Sequence, residues 1–166
     1  MVELLTDEAA LERVSGNAIT ELTRRATAAT YFAEGLSEKE IAFIENVVQI
    51  SADRVAASAS NEHQHLVTAT SGEKLAGFMI ATVIAEDNRD LDWLMVDPDF
   101  HGAGVAGPLM RAGMTWLGED RPMWLNVVRH NERAIRFYRK HGFEIDHEAE
   151  CPHVMPHWIM RRAPQA

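Results

Sequence analysis

Gly102 and Gly104, with Ala103, Val105 and Ala106 beside them, lie between an apolar run ending at Val96 and a periodic one beginning at Val105. Small residues there let a ligand approach the backbone, and the first N–H groups of a helix have no intrahelical acceptor. Those donors sit at the positive end of the helix dipole and suit a diphosphate. A second set is Asn131 and Tyr138, about two helical turns apart and so on one helix face. Spacing alone reads Tyr138 as a core aromatic whose hydroxyl finds a backbone acceptor. The acids Asp90 and Asp92 share strand parity with Leu94 and Val96, so all four face one side of a sheet unless a bulge intervenes. Eight histidines make the last set. His153 and His157 with Cys151 have loosely ligand-like spacing, and His63 and His65 would share a strand face. Zinc sites usually use paired Cys/His knuckles, and a single cysteine argues against one. No metal site is expected.

The elements that must position these residues follow from pattern. Trp93, Met95 and Val96 predict a strand. Asp97-Pro98-Asp99 breaks it, because proline fixes φ and aspartate favours a turn. Val105, Leu109, Ala112, Trp116 and Leu117 recur at helical spacing. Gly102, Gly104 and Gly107 also spell the dinucleotide fingerprint G-x-G-x-x-G. That fingerprint expects its first glycine at the strand's end, an acid about 20 residues on and further βαβ units. Here VDPDFH intervenes, Asn126 stands at the acid's place, and too little chain remains for a doubly wound sheet.

The strand, VDPDF and His101-Gly102-Ala103-Gly104-Val105-Ala106 resemble the pyrophosphate loop of the GCN5-related N-acetyltransferase (GNAT) superfamily, Gln/Arg-x-x-Gly-x-Gly/Ala. A second block, MWLNVVRHNERAIRFYRKHGF over 123–143, resembles that family's strand followed by Asn-x-x-Ala-x-x-Phe-Tyr-x-x-x-Gly-Phe. The clear resemblance covers roughly residues 66–162. It implies a single α/β (α+β) domain of GNAT fold: a mixed, mostly antiparallel sheet with flanking helices, splayed central strands and a helix-rich N-terminus. It also implies an enzyme that moves acetyl from acetyl-CoA to a primary amine by direct attack in a ternary complex. The loop from His101 through Gly107 would hold the diphosphate, and Asn131 the pantetheine or phosphate region. The main-chain N–H of Val96, or of Met95, would serve the thioester oxygen, and Tyr138 would be the acid toward the departing thiolate. Three positions depart from the pattern. His101 replaces glutamine or arginine, Pro108 removes a donor from the first turn, and Asn126 stands where many members carry a glutamate base. Asp92 is then the acid expected to accept the proton or anchor a substrate ammonium. The rival expectation is a non-catalytic CoA-binding module that signals through its N-terminal helices.

Composition sets the outer bounds. Hydrophobic residues at 46% and charged residues at 25% are ordinary globular values. A net charge of −9 disfavours nucleic acid and anionic membranes as partners. One cysteine, the acidic start Met1-Val2-Glu3 and the lack of a long apolar run predict a cytoplasmic protein. The acceptor is expected to be a small amine or a protein amino group, and a homodimer is possible. The first 60 residues read as a helical part preceding the core over 61–166. A strand is expected over Val2 to Leu5, then a helix capped by Thr6. Another helix would follow from Ala18 to Glu34, with Gly16 and Asn17 as breakers and a face of Ile19, Leu22, Ala26, Ala29 and Ala33. A long helix opens on the capping box of Ser37 and Glu40. These helices are expected to cover one sheet face and wall the substrate groove. Strands over 65–70, 74–85 and 123–128 and a terminal pair over 143–147 and 154–162 complete the core. His147, His153 and His157 are expected to flank the groove or sit in solvent.

Overall fold

Seven strands form one sheet in the computed structural model, which describes residues 1–166. They are β1 (Glu3–Thr6), β2 (Gln64–Ser71), β3 (Lys74–Ala85), β4 (Asn88–Val96), β5 (Met123–Val128), β6 (Glu144–Asp146) and β7 (His157–Arg162). Their order across the sheet is β1-β2-β3-β4-β5-β7-β6. Neighbours are antiparallel except β4 and β5, which run parallel and pair only at Asp90 and Trp124. Beyond that pair the two strands diverge, and their free edges face a gap. This is the mixed, splayed sheet that the two motifs imply.

Helices cover both faces. Helices α4 (Ala106–Leu117) and α5 (Glu132–Lys140) lie on one, where Leu109, Met110, Leu117 and Ile135 pack with Val67, Met79, Leu91, Leu125 and Val127. Helices α1 (Asp7–Arg13), α2 (Gly16–Thr30) and α3 (Glu38–Ala59) lie on the other, where Ile19, Leu22, Ala26 and Val55 pack with Leu66, Phe78, Ile80 and Met95. A smaller cluster of Ile44, Val128 and Met155 ties α3 to β5 and to the loop before β7. No helix is long and apolar enough to cross a membrane.

Several local expectations are corrected. Gly16 and Asn17 do not break a helix but begin one: Ser15 caps α2 by accepting the Ala18 N–H at 3.1 Å. The helix ends at Thr30, and Ala29 is exposed. Thr23 and Thr27 fill its inner face instead, each hydroxyl donating at 2.8 Å to the carbonyl four residues back. That internal bond removes the cost of burying the polar group. Thr6 occupies the cap position of α1 without a side-chain bond. Strand β4 begins at Asn88, so Glu86 and Asp87 alone make the turn from β3. His63 precedes β2, so it shares no strand face with His65. The capping box is present, with Ser37 N–H donating to Glu40 at 2.7 Å and Glu40 N–H to Ser37 at 3.2 Å.

Asp90, Asp92, Leu94 and Val96 do not share one face, because a bulge does intervene. Phe78 pairs with Met95 but Ile80 with Asp92, so β4 carries one extra residue across this stretch. The irregularity falls at Trp93, whose φ of 54° is left-handed. A bulge of this kind flips the side-chain alternation beyond it. Leu91, Leu94 and Val96 therefore share the α4 face, whereas Asp90, Asp92 and Met95 share the α2–α3 face.

Candidate functional site

The gap between β4 and β5 opens into a cleft of about 910 Å³. Its floor is made of residues 91–96 of β4 and residues 124 and 126–128 of β5. One end is the loop from Phe100 to Gly107, and the opposite wall comes from α2 and α3 through Tyr31, Phe43, Asn46 and Arg54. The two halves of the chain thus meet across the cleft.

The loop end is braced from below. Asp97 is buried, accepts the Asp99 N–H at 2.9 Å and takes Arg25 of α2 at 3.1 Å. Arg25 also reaches Asp99 at 2.9 Å, and Lys74 of β3 meets the same carboxylate at 2.9 Å. The loop then turns through Gly102 and Gly104 at φ 79° and 76°, a conformation that side chains rarely tolerate. A Cβ at either glycine would meet nothing within 4 Å, so the backbone faces open space. Val105 and Leu109 seat the start of α4 against the sheet, and its first N–H groups point into that space. Pro108 falls in the first turn, where its missing N–H costs no helical bond.

Two guanidinium groups border this cradle. The Arg111 side chain folds back over the first turn of α4, 3.2 Å from where a Gly107 Cβ would stand. Arg133 lines the cleft from α5; its neighbours Arg136 and Arg139 pair with Glu132 and Glu144, but Arg133 has no carboxylate partner. Burial and Arg133 hold the His101 imidazole below its ordinary range. His101 therefore does not bring the fixed positive charge that an arginine would bring here. The residues present fit a diphosphate through main-chain donors and these two arginines.

Strand alternation selects one amide beside the gap. The Asp97 N–H donates to the Ala76 carbonyl at 2.9 Å. Amides alternate along a strand, so Met95 also points to β3, whereas Val96 points away from it, toward the gap. Of the two candidates, Val96 is the amide directed at the cleft.

Tyr138 projects from α5 onto the cleft and is 9% exposed. Burial, then Tyr31 and Asp92, push its phenol upward, so it is fully protonated near neutral pH. Tyr31 is pushed up to about 12, by burial and by Asp92. The two phenols and Asp92 therefore feel one another across the floor. Asp92 is reached by solvent from the cleft but is otherwise ringed by protein, and that burial raises its carboxyl. The Trp93 N–H at 2.8 Å, Arg54 and His153 pull it back. Asn131 caps α5, accepting the Ala134 N–H at 3.2 Å, and also lines the cleft.

The histidines divide. His153 and His157 line the cleft with ring centroids 4.9 Å apart, and Phe43 packs against both. His147 instead lies edge-on to Trp158. Cys151 faces the Asn126 side-chain oxygen at 3.9 Å rather than the imidazoles. No three His, Cys, Asp or Glu side chains are grouped to hold a metal. Tyr31, Phe43 and Arg54 were not among the expected site residues. Arg25, which braces the loop, was not either: it and Asp97 lie 72 positions apart, and no short motif links them.

A family model described as the acetyltransferase (GNAT) family matches residues 20–143. The chain belongs to that family. An uncharacterised N-acetyltransferase of Mycobacterium tuberculosis is 32% identical over 101 residues, which is 58% of this chain and 64% of that protein. The peptidyl-lysine N-acetyltransferase YjaB of Escherichia coli is 30% identical over 84 residues, 51% of this chain and 52% of its own length. The matches thus span between half and two thirds of these relatives. Among solved structures, the PaiA N-acetyltransferase of Thermoplasma acidophilum in complex with coenzyme A superposes with a TM-score of 0.76 at 20% identity. That superposition covers 98% of this chain and 99% of the other. At such identity the likeness speaks for the GNAT fold.

Proposed function

We propose that this chain is an acetyl-CoA-dependent N-acetyltransferase that acts on a primary amine by direct attack in a ternary complex. One observation carries the reading: the cleft joins the anion cradle of α4, the gap-facing Val96 amide and the Tyr138 hydroxyl in one continuous space. Main-chain amides from Gly102 through Gly107, with Arg111 and Arg133, bind the diphosphate, and the splay between β4 and β5 admits the pantetheine arm beside Asn131. Acetyl-CoA supplies the activated acyl group.

Val96 N–H offers a hydrogen bond to the thioester oxygen as negative charge grows there, in a site where a fixed donor needs little reorganisation. Met95 contributes its buried side chain to the floor below. Tyr138 then protonates the departing sulfur. Its raised pKa does not forbid the transfer, since the same burial raises the basicity of a thiolate beside it. Asp92 holds the incoming ammonium at the wall opposite the cradle. The candidate acceptors are small amines and protein-borne ones; the likeness to YjaB, named a peptidyl-lysine N-acetyltransferase, supports including lysine peptides among them.

The test is release of free CoA thiol from acetyl-CoA over a panel of amines and lysine peptides, repeated with Tyr138→Phe. General acid catalysis is worth about 10²–10⁴-fold in rate. The variant is expected to lose turnover by that order and to bind CoA within about tenfold of wild type. Tight CoA binding without thiol release on any amine would favour a regulatory CoA-binding module. Unchanged turnover in Tyr138→Phe would remove the acid role.

A further inference from the structure

Resting on that reading, we propose that His157 is the group that takes the proton from the acceptor amine, at Nε2, directly or through one water.

The geometry fixes which nitrogen is free. His157 Nδ1 lies 2.6 Å from the Met155 carbonyl oxygen. A carbonyl can only accept, so Nδ1 carries the hydrogen and Nε2 the lone pair. Nε2 has no protein partner, yet it is not sealed away; the two sealed and unpartnered side-chain atoms are Arg25 Nε and Thr70 Oγ1. The residue is 5% exposed, and the opening available to it is the cleft it lines. The structure therefore holds an imidazole in the accepting tautomer with its lone pair turned to the acceptor space.

Position supports the role. On β5 and β7, Val128 pairs with His157 and Asn126 with Ile159. Asn126 and His157 are diagonal neighbours on the α2–α3 face, about 7–8 Å apart by the usual spacing. An amide at 126 cannot accept the amine proton, and the adjacent strand supplies a group that can. Tyr31 stands edge-on to His157 at 6.2 Å and is itself sensed by Tyr138. His157 thus lies on the acceptor side of the same floor.

Burial, the largest cause, holds the His157 imidazole below its ordinary range; the Met155 carbonyl works against this, while His153, in the loop before β7, and His130, at the turn into α5, add to it. Arg129 donates to the His157 carbonyl at 3.2 Å, and Tyr31 from α2 remains un-ionised. Asp92 and Arg54 face one another across the cleft.

The proton count closes. An ammonium N–H bond breaks, its proton passing to Nε2, and the freed pair forms the N–C bond to the acyl carbon. The C–S bond breaks with its pair on sulfur, which takes the Tyr138 proton. The second nitrogen proton returns to Tyr138 through water, and His157 sheds its own to the cleft. One proton leaves per turnover.

The experiment measures kcat/KM for wild type and His157→Gln with acetyl-CoA and primary amines. The series runs from ordinary alkylamines to fluorinated ones already unprotonated at neutral pH. The variant should lose about 10²–10⁴-fold on the alkylamines, less than about tenfold on the fluorinated ones, and keep its CoA affinity. The wild-type acid limb should fall below the ordinary imidazole range and vanish in the variant. An active wild type with equal losses across the series and an unmoved limb would overturn the assignment of His157 alone. A wild type that releases no thiol from any amine would overturn the acetyltransferase reading and this assignment with it. If the variant does not fold, nitrogen NMR of the wild-type imidazole decides: a neutral ring protonated at Nε2 would overturn the proposal, and one protonated at Nδ1 would support it.

Discussion

Gly77 sits under the seam between the cradle and the floor, and its replacement tests whether that seam sets the site. It pairs with Val96 across β3 and β4. A Cβ built there would lie 2.9 Å from the Met95 carbonyl oxygen, 2.9 Å from Leu109 Cδ1 and 3.2 Å from Val105 Cγ1. The Met95 carbonyl can yield only by moving β4, and the fully buried Leu109 and Val105 side chains have little free space to turn into, so the strain falls on the contact between β4 and α4. Overpacking of this kind costs about 1–3 kcal/mol. For a domain of this size that lowers Tm by about 2–12 °C. The movement also separates the α4 amides from Val96, so a diphosphate and a thioester no longer meet their donors together. Losing one charge-assisted hydrogen bond, about 1.5–3 kcal/mol, weakens CoA binding about ten- to hundredfold. Gly16→Ala is the control, because its Cβ would meet Ala52 at an ordinary 3.5 Å. At the start of α2 it should hold or raise stability by about 0.4–1 kcal/mol and leave CoA affinity alone. Calorimetry and CoA titration of both variants give the answer. Gly77→Ala with wild-type Tm and wild-type affinity would refute the close-packing argument.

Other consequences follow from the same geometry. Arg111→Gln and Arg133→Gln should each weaken CoA binding about fivefold, for about 1 kcal/mol per exposed contact, and the effect should shrink at high salt in titrations. Asp90 is half-buried, and burial with Asp92 beside it raises its carboxyl well above the usual range. Its folded pKa exceeds its unfolded one, so the stability it contributes is full below about pH 4 and is lost as pH rises through the folded value. Asp90→Asn should therefore gain Tm over wild type as pH rises from 4 to 8, and a pH-independent difference would count against the burial argument. Ser37→Ala removes one arm of the capping box and should cost about 1 kcal/mol, or about 2–4 °C in a thermal melt.

Much of the site is legible in the chain because its parts are local. The strand, the turn at Pro98, the glycine loop and the helix from Ala106 are continuous in sequence, and each is set by neighbouring residues. Asn131 and Tyr138 are likewise one cap and one helix face. What local pattern does not show is held by distant partners. The Arg25 brace on Asp97 joins α2 to the loop. The long N-terminal helices are legible as helices, but the cleft wall formed by Tyr31, Phe43 and Arg54 depends on how they dock. Thr23 and Thr27 read as polar until their hydroxyls turn back onto the helix.

The bulge at Trp93 links these failures to the chemistry. A tryptophan at φ 54° carries about 1–2 kcal/mol of strain and has no propensity signal in sequence. Packing must impose it, through the core beneath α2 and against the antiparallel frame of β3. Without it, strict alternation would put Asp92 and Val96 on one face. With it, the Val96 side chain packs under α4 while the Asp92 carboxyl turns to the α2–α3 wall, where Tyr31, Arg54 and His153 stand. In the proposed reaction, this one inserted residue would separate the cofactor side of β4 from its acceptor side. An amine held at Asp92 and an acyl group held at Val96 would then meet across the strand rather than compete for the same face.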